Sequence, residues 1–145
     1  MTTIHQEITV NYSAAEMFAL VKNVNDYFRF LPHCQDSRIL GQNKDSFRTK
    51  LILSKGLVKK AFTVDFYLRN DQLIQMRLLD KAFKQLDGYW RFEPLASGSK
   101  LTLHLEYEFA NIITAMAYGN LFVQIANTLA QTFAKRAEEV YGKRS

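Results

Sequence analysis

Few side chains in this sequence could carry out covalent or acid–base chemistry. They are one cysteine (Cys34), three histidines (His5, His33, His104) and the neighbouring glutamates Glu106 and Glu108. His33 stands directly before Cys34, the pairing a thiol nucleophile needs, but a catalytic pair must meet in space, and neighbours in an extended segment point to opposite faces. Glu106 and Glu108 share one strand face with Thr102 and His104, which reads as a solvated surface rather than a proton-transfer pair. The histidines fall on separate elements and show neither HExxH spacing nor paired cysteines, so no metal is assigned. Gly41, Gly56, Gly88, Gly98, Gly119 and Gly142 never form a phosphate-cradling pattern, which excludes a P-loop and a dinucleotide fingerprint. On these residues the chain reads as a non-enzyme.

The scaffold around them is one domain, residues 1–145. With 145 residues, 48% hydrophobic and 23% charged, the chain suits a single full core, and eleven phenylalanines exclude a disordered polymer. The lone cysteine excludes an internal disulfide and gives no reason to expect an oxidising compartment, so a cytoplasmic protein is expected. No signal peptide is read at residues 1–10, which alternate polar and apolar residues. The charge-free stretch 109–134 contains Asn111, Asn120, Gln124, Asn127 and Gln131, which suits an amphipathic globular helix better than a membrane span. A net charge of +5 favours anionic partners without choosing among them.

Periodicity orders the elements. Ile8 and Val10 alternate with Glu7 and Thr9 as a first strand, and Ser13 with Glu16 forms a capping box for a short helix over Met17, Phe18, Leu20 and Val21. Asp26 is expected to cap a second short turn through Tyr27, Phe28 and Phe30 that Pro32 ends. From there to residue 110 the period is two, with breaks expected at 41–45, 54–56, 70–71, 87–88 and 96–99. Phe62, Val64, Phe66 and Leu68, then Ile74, Met76 and Leu78, then Leu101, Leu103, Leu105, Tyr107 and Phe109 mark one greasy sheet face. A final helix over 112–141 puts Phe122, Ile125, Ala126, Leu129, Phe133, Ala137 and Val140 on one side.

This predicts an α+β fold in which a curved antiparallel sheet of six to seven strands wraps around a long C-terminal helix, with two short helices after the first strand. Strands lie about 4.8 Å apart and a helix is roughly 10 Å wide, so one helix cannot cover the sheet. An apolar chamber between them should remain, the usual place for a hydrophobic ligand.

The string DKAFKQLDGYWRFEP at residues 80–94 resembles the most recognisable motif of the bacterial RatA-like, coenzyme Q-binding proteins of the START (polyketide cyclase) superfamily. The segments YFRFLPHC (27–34), Arg38–Leu40, Ser54–Gly56 and RAEEVY (136–141) are similar to that family in the same order, over nearly the whole chain. The resemblance implies a helix-grip fold, in agreement with the periodicity. It also implies two roles: binding of ubiquinone or a related isoprenoid quinone in support of respiration, and a toxin of a toxin–antitoxin pair that binds the large ribosomal subunit and blocks subunit association.

For a quinone or other lipid, the apolar faces supply Phe62, Phe66, Met76, Leu78, Trp90, Phe92, Leu103, Tyr107, Phe122, Ile125 and Leu129 as chamber lining, with ubiquinone as the ligand and no cofactor required. Trp90 and Tyr107 could donate to a quinone carbonyl. The turn Lys55, Gly56, Leu57, Val58, Lys59, Lys60 suits shallow docking at the inner membrane surface, and the same lysines could instead meet ribosomal RNA phosphates. A third alternative is an enzyme of the polyketide aromatase or cyclase kind, for which Tyr107 would be the one plausible proton donor.

Overall fold

In the computed structural model, which describes residues 1–144, seven strands form one antiparallel sheet in the order β1-β7-β6-β5-β4-β3-β2. They are β1 (Thr2–Val10), β2 (Cys34–Gln42), β3 (Ser46–Lys55), β4 (Val58–Arg69), β5 (Leu73–Leu79), β6 (Phe83–Pro94) and β7 (Ser99–Phe109). Between β1 and β2 lie helix α1 (Ala14–Lys22) and a 3-10 helix (Val24–Arg29), and the chain closes with helix α2 (Ile112–Tyr141).

The local signals at the helix starts hold. Ser13 and Glu16 form the capping box of α1, the Ser13 hydroxyl accepting from the Glu16 amide at 3.0 Å. Asn111 opens α2 in the same way, its side chain accepting from the Thr114 amide at 2.9 Å. Asp26 corrects an expectation: it lies inside the 3-10 helix, where its carboxylate accepts from the Asn23 side-chain amide and pairs with Arg29, rather than capping the start.

A second correction concerns residues 87–88. The chain does not turn there; β6 runs unbroken through Asp87 and Gly88, and the break falls at residues 80–82. Gly88 is present because β7 comes so close that a Cβ would lie 2.4 Å from the His104 carbonyl oxygen. A glycine inside a strand marks close approach of another backbone as readily as it marks a turn.

The core lies between the concave sheet face and the helices. Trp90, Phe92, Leu101, Leu103 and Ile74 are buried from the sheet, and Phe133, Ala126, Ala130 and Ala137 from α2. Val140, placed on this face by spacing alone, is 48% exposed; at this end of α2 the packing is done by buried Ala137 and by Tyr141, whose hydroxyl donates to the Glu16 carbonyl at 3.0 Å. By length and composition α2 is apolar enough to cross a bilayer, yet it lies along the sheet, resting chiefly on β1 and β7. Gln6 fixes this contact: from the inner face of β1 its side-chain amide donates to the Ala126 and Asn127 carbonyls and accepts from the Ala130 amide. One polar side chain thus bridges groups that the helix ladder would otherwise pair.

Beyond α2 the tail is tied to α1. Arg144 makes a two-point ion pair with Glu16 (2.7 and 2.9 Å) and stacks on Tyr12, while the Tyr12 hydroxyl donates to the Gly142 carbonyl. Arg144, with help from the Ser13 amide, holds the Glu16 carboxyl down at about 2, against an ordinary 4.5. A depressed carboxylate pKa contributes stability that is complete above the unfolded value and disappears as the pH falls through the folded one. Glu16→Gln keeps the capping geometry and removes the charge. Melting temperatures of the two proteins should therefore differ above pH 4.5 and converge as the pH approaches 2; a difference constant with pH would show that the pair contributes nothing through charge.

Candidate functional site: an apolar chamber

Because α2 rests on β1 and β7 at one side of the sheet and meets β3 where the sheet curls round at the other, it stands off the middle strands, and the curve of the sheet leaves a chamber beneath it of about 100 Å³. Leu51 and Leu53 of β3, Phe62, Val64 and Phe66 of β4, Met76 and Leu78 of β5, and Leu86 and Trp90 of β6 form its floor, with Leu105 of β7 at one wall. Phe122, Ile125, Ala126, Leu129 and Phe133 of α2 form the roof, and Tyr27 and Leu31 close one end. Leu51, Met76, Leu78, Phe122 and Leu129 are half-buried, so the mouth is a slot between α2 and strands β3 to β5.

Eight of the eleven residues expected to line the chamber do so: Phe62, Phe66, Met76, Leu78, Trp90, Phe122, Ile125 and Leu129. Phe92, Leu103 and Tyr107 do not. Phe92 is covered by α1, its ring edge-on to Phe18 at 5.5 Å. Leu103 is completely buried on β7, a strand on which α2 rests directly. Tyr107 packs edge-on against Phe122 at 4.6 Å, and its hydroxyl, which burial holds protonated, meets the Thr2 side chain instead of the chamber. Tyr27, Leu31, Leu51, Leu53, Val64, Leu86, Leu105, Ala126 and Phe133 also line the space. Val64, Leu105, Ala126 and Phe133 were legible, since each stands in a periodic run already identified; Tyr27 and Leu31 carry no such signal, because an irregular segment brings them in.

The lining holds two side chains with an N–H or O–H group. The Tyr27 hydroxyl is spent on the Val21 carbonyl, and burial keeps it protonated far above the ordinary phenol range. That leaves the indole of Trp90, 1% exposed, as the donor a polar ligand head could address. The space is below the roughly 150 Å³ at which an apolar cavity takes up benzene, so a larger molecule requires the slot to widen.

The candidate chemical groups lie elsewhere. Cys34 is buried, its thiol donating to the Asp36 carbonyl at 3.4 Å, and desolvation pushes its pKa up to about 11. A thiol so protonated is a poor nucleophile. In the folded protein it should resist iodoacetamide at pH 8 and react at once in denaturant; rapid native labelling would show the site to be open. His5 and His104, which spacing alone keeps apart, are cross-strand partners with their Nδ1 atoms 3.1 Å apart on the outer sheet face, and Tyr89 stacks on His104. Glu106 lies beside His104 on that same outer face, 3.6 Å away.

The turn between β3 and β4 is also partly as expected. Lys55, Leu57 and Lys59 are exposed and Val58 is half-buried. Lys60 is not a free surface cation: it pairs with Asp80 at 3.2 Å and lies over the rings of Phe62 and Tyr118. Asp80 also accepts from the Ala82 amide at 2.8 Å and so fixes the connection before β6.

A seven-stranded antiparallel sheet gripping one long helix over an apolar chamber defines the helix-grip, START-like class of protein. Residues 10–134 match the family described as polyketide cyclase / dehydrase and lipid transport. The ribosome association toxin RatA of Escherichia coli (strain K12) is 38% identical over 145 residues, covering 99% of this chain and 92% of the relative. The mitochondrial coenzyme Q-binding protein COQ10 of Dictyostelium discoideum is 26% identical over 138 residues, 92% of this chain and 67% of that protein. Among solved structures, the ZhuI aromatase/cyclase of Streptomyces sp. R1128 superposes with a TM-score of 0.82 at 14% identity, over 99% of both chains. The chain belongs to the polyketide cyclase / dehydrase and lipid transport family, and within it to the RatA-like group.

Proposed function

We propose that this protein is a non-catalytic carrier that binds an isoprenoid quinone, ubiquinone or a close relative, in the chamber beneath α2 and supports respiratory electron transport. The observation that carries this is a chamber whose lining is apolar apart from the spent Tyr27 hydroxyl and the Trp90 indole. That arrangement suits an oily ring bearing a carbonyl acceptor, and a relative is named for coenzyme Q binding. Burying one five-carbon isoprene unit is worth roughly 4 kcal/mol relative to water, at about 0.8 kcal/mol per methylene. Most of this cancels against a bilayer, so shape and the indole contact carry the selectivity. The carrier works in the cytoplasm, at the inner face of the membrane, and needs no other cofactor.

Trp90 is the only tryptophan, so it reports on its own site. Titration with a short-tailed ubiquinone should quench its emission saturably at one quinone per chain, whereas the tail alone should leave it unquenched. Linear, unsaturated quenching would overturn the proposal.

The ribosome reading has its own support in the relative named as a ribosome association toxin and in the net charge of +5. It predicts saturable binding to purified large subunits that weakens steeply with salt, and an antitoxin partner that relieves it. No saturable binding at low salt would remove it.

A further inference from the structure

The turn between β3 and β4, the connection between β5 and β6, and the junction of β7 with α2 all lie at one end of the sheet. The Lys60–Asp80 ion pair ties the first to the second, and the Ala110 amide, donating to the Ala82 carbonyl at 2.8 Å, ties the second to the third. At this end stand the four most exposed large apolar side chains of the described residues: Leu57 (105%), Met116 (79%), Ile112 (75%) and Ile113 (75%). Scattered exposed apolar residues are ordinary, but such a concentration marks a contact. Lys55, Lys59 and Lys81 surround it, with no ion-pair partner among the described residues.

From this we infer that the end of the molecule carrying Leu57, Ile112, Ile113 and Met116, ringed by Lys55, Lys59 and Lys81, seats in the surface of an anionic lipid bilayer. Apolar tips enter the boundary between headgroups and acyl chains while the lysines meet lipid phosphates. A nucleic acid would match the lysines and leave the apolar tips in water. A second copy would set lysine against lysine. The inference relies on the carrier reading for its purpose, as the surface from which an oily ligand would be drawn, and not for the docking itself. It enlarges the contact foreseen from the turn alone, since the first turns of α2 supply three of the four apolar side chains and Lys60 drops out.

The test uses the full chain and quinone-free vesicles of phosphatidylcholine with or without phosphatidylglycerol. Co-sedimentation should require the anionic lipid. Ile113→Asp with Met116→Asp should lower binding more than tenfold, and replacing Lys55, Lys59 and Lys81 with alanine should lower it about a hundredfold at low salt, near fivefold per lysine. Leu57→Trp, at a fully exposed position that folding does not depend on, should shift its emission to the blue on anionic vesicles and be quenched by brominated acyl chains. Equal binding to neutral vesicles, or an unshifted Leu57→Trp signal, overturns the inference. So does a dimer dispersed by the aspartates, or large-subunit binding that they abolish while vesicle binding is unchanged. Since no quinone is present, docking can succeed where the quinone titration fails, and the reverse.

Discussion

Phe133→Ala is expected to lower the free energy of unfolding by about 3–5 kcal/mol, the range for deleting a fully buried phenylalanine side chain. Phe133 is 1% exposed and its ring meets those of Tyr27, Phe30 and Trp90 edge-on, each at 5.3 Å. Such contacts add roughly 0.5–1.5 kcal/mol each beyond the area buried, and the roof above a void cannot collapse onto the gap. The better helix propensity of alanine returns only about 0.5 kcal/mol. Because Phe133 also lines the chamber, the variant enlarges it, and a bound ligand should restore part of the loss, about 2.7 kcal/mol at a hundred times its dissociation constant. Urea unfolding with and without ligand measures both effects. A loss under about 1 kcal/mol, far below that range, would mean that the aromatic cluster is not packed as described.

Ala126→Leu is expected to do the reverse, leaving the protein folded while abolishing ligand binding. Ala126 lies in the roof, 2% exposed, and its methyl group faces the void. A leucine puts three more carbons into a space of about 100 Å³. Overpacking a full core costs about 1–3 kcal/mol, but filling a void recovers contact energy, so the unfolding midpoint should stay near that of the parent. Quinone affinity, read from Trp90 emission, should fall more than tenfold. Unchanged affinity would place the ligand elsewhere on the molecule.

The sequence made much of this visible because period-two and period-3.6 patterns are strong in β4, β7 and α2, and those three elements supply nine of the seventeen lining side chains. What stayed hidden depends on where α2 rests. Phe92, Leu103 and Tyr107 share their strand faces with lining residues and differ only in lying under α1 or on β7, where α2 rests directly. Spacing cannot locate a helix laterally over a sheet. Gln6 makes the same point: it is a polar residue on the greasy face of an edge strand, and its role appears only once the Ala126 and Asn127 carbonyls come within reach. A strand glycine accommodating a close backbone neighbour has the same letter as a turn glycine, so spacing alone places a break at Gly88 where β6 runs on. His5 and His104 meet through strand register across ninety-nine positions of sequence, which no local pattern encodes.

If the protein carries a quinone, an oily molecule occupies the space under α2. Native mass spectrometry followed by organic extraction, on protein purified from a quinone-making host, tests it most directly. One quinone per chain should leave with the parent protein and none with Ala126→Leu. A parent protein that emerges empty, or the same lipid recovered from both, would contradict the account.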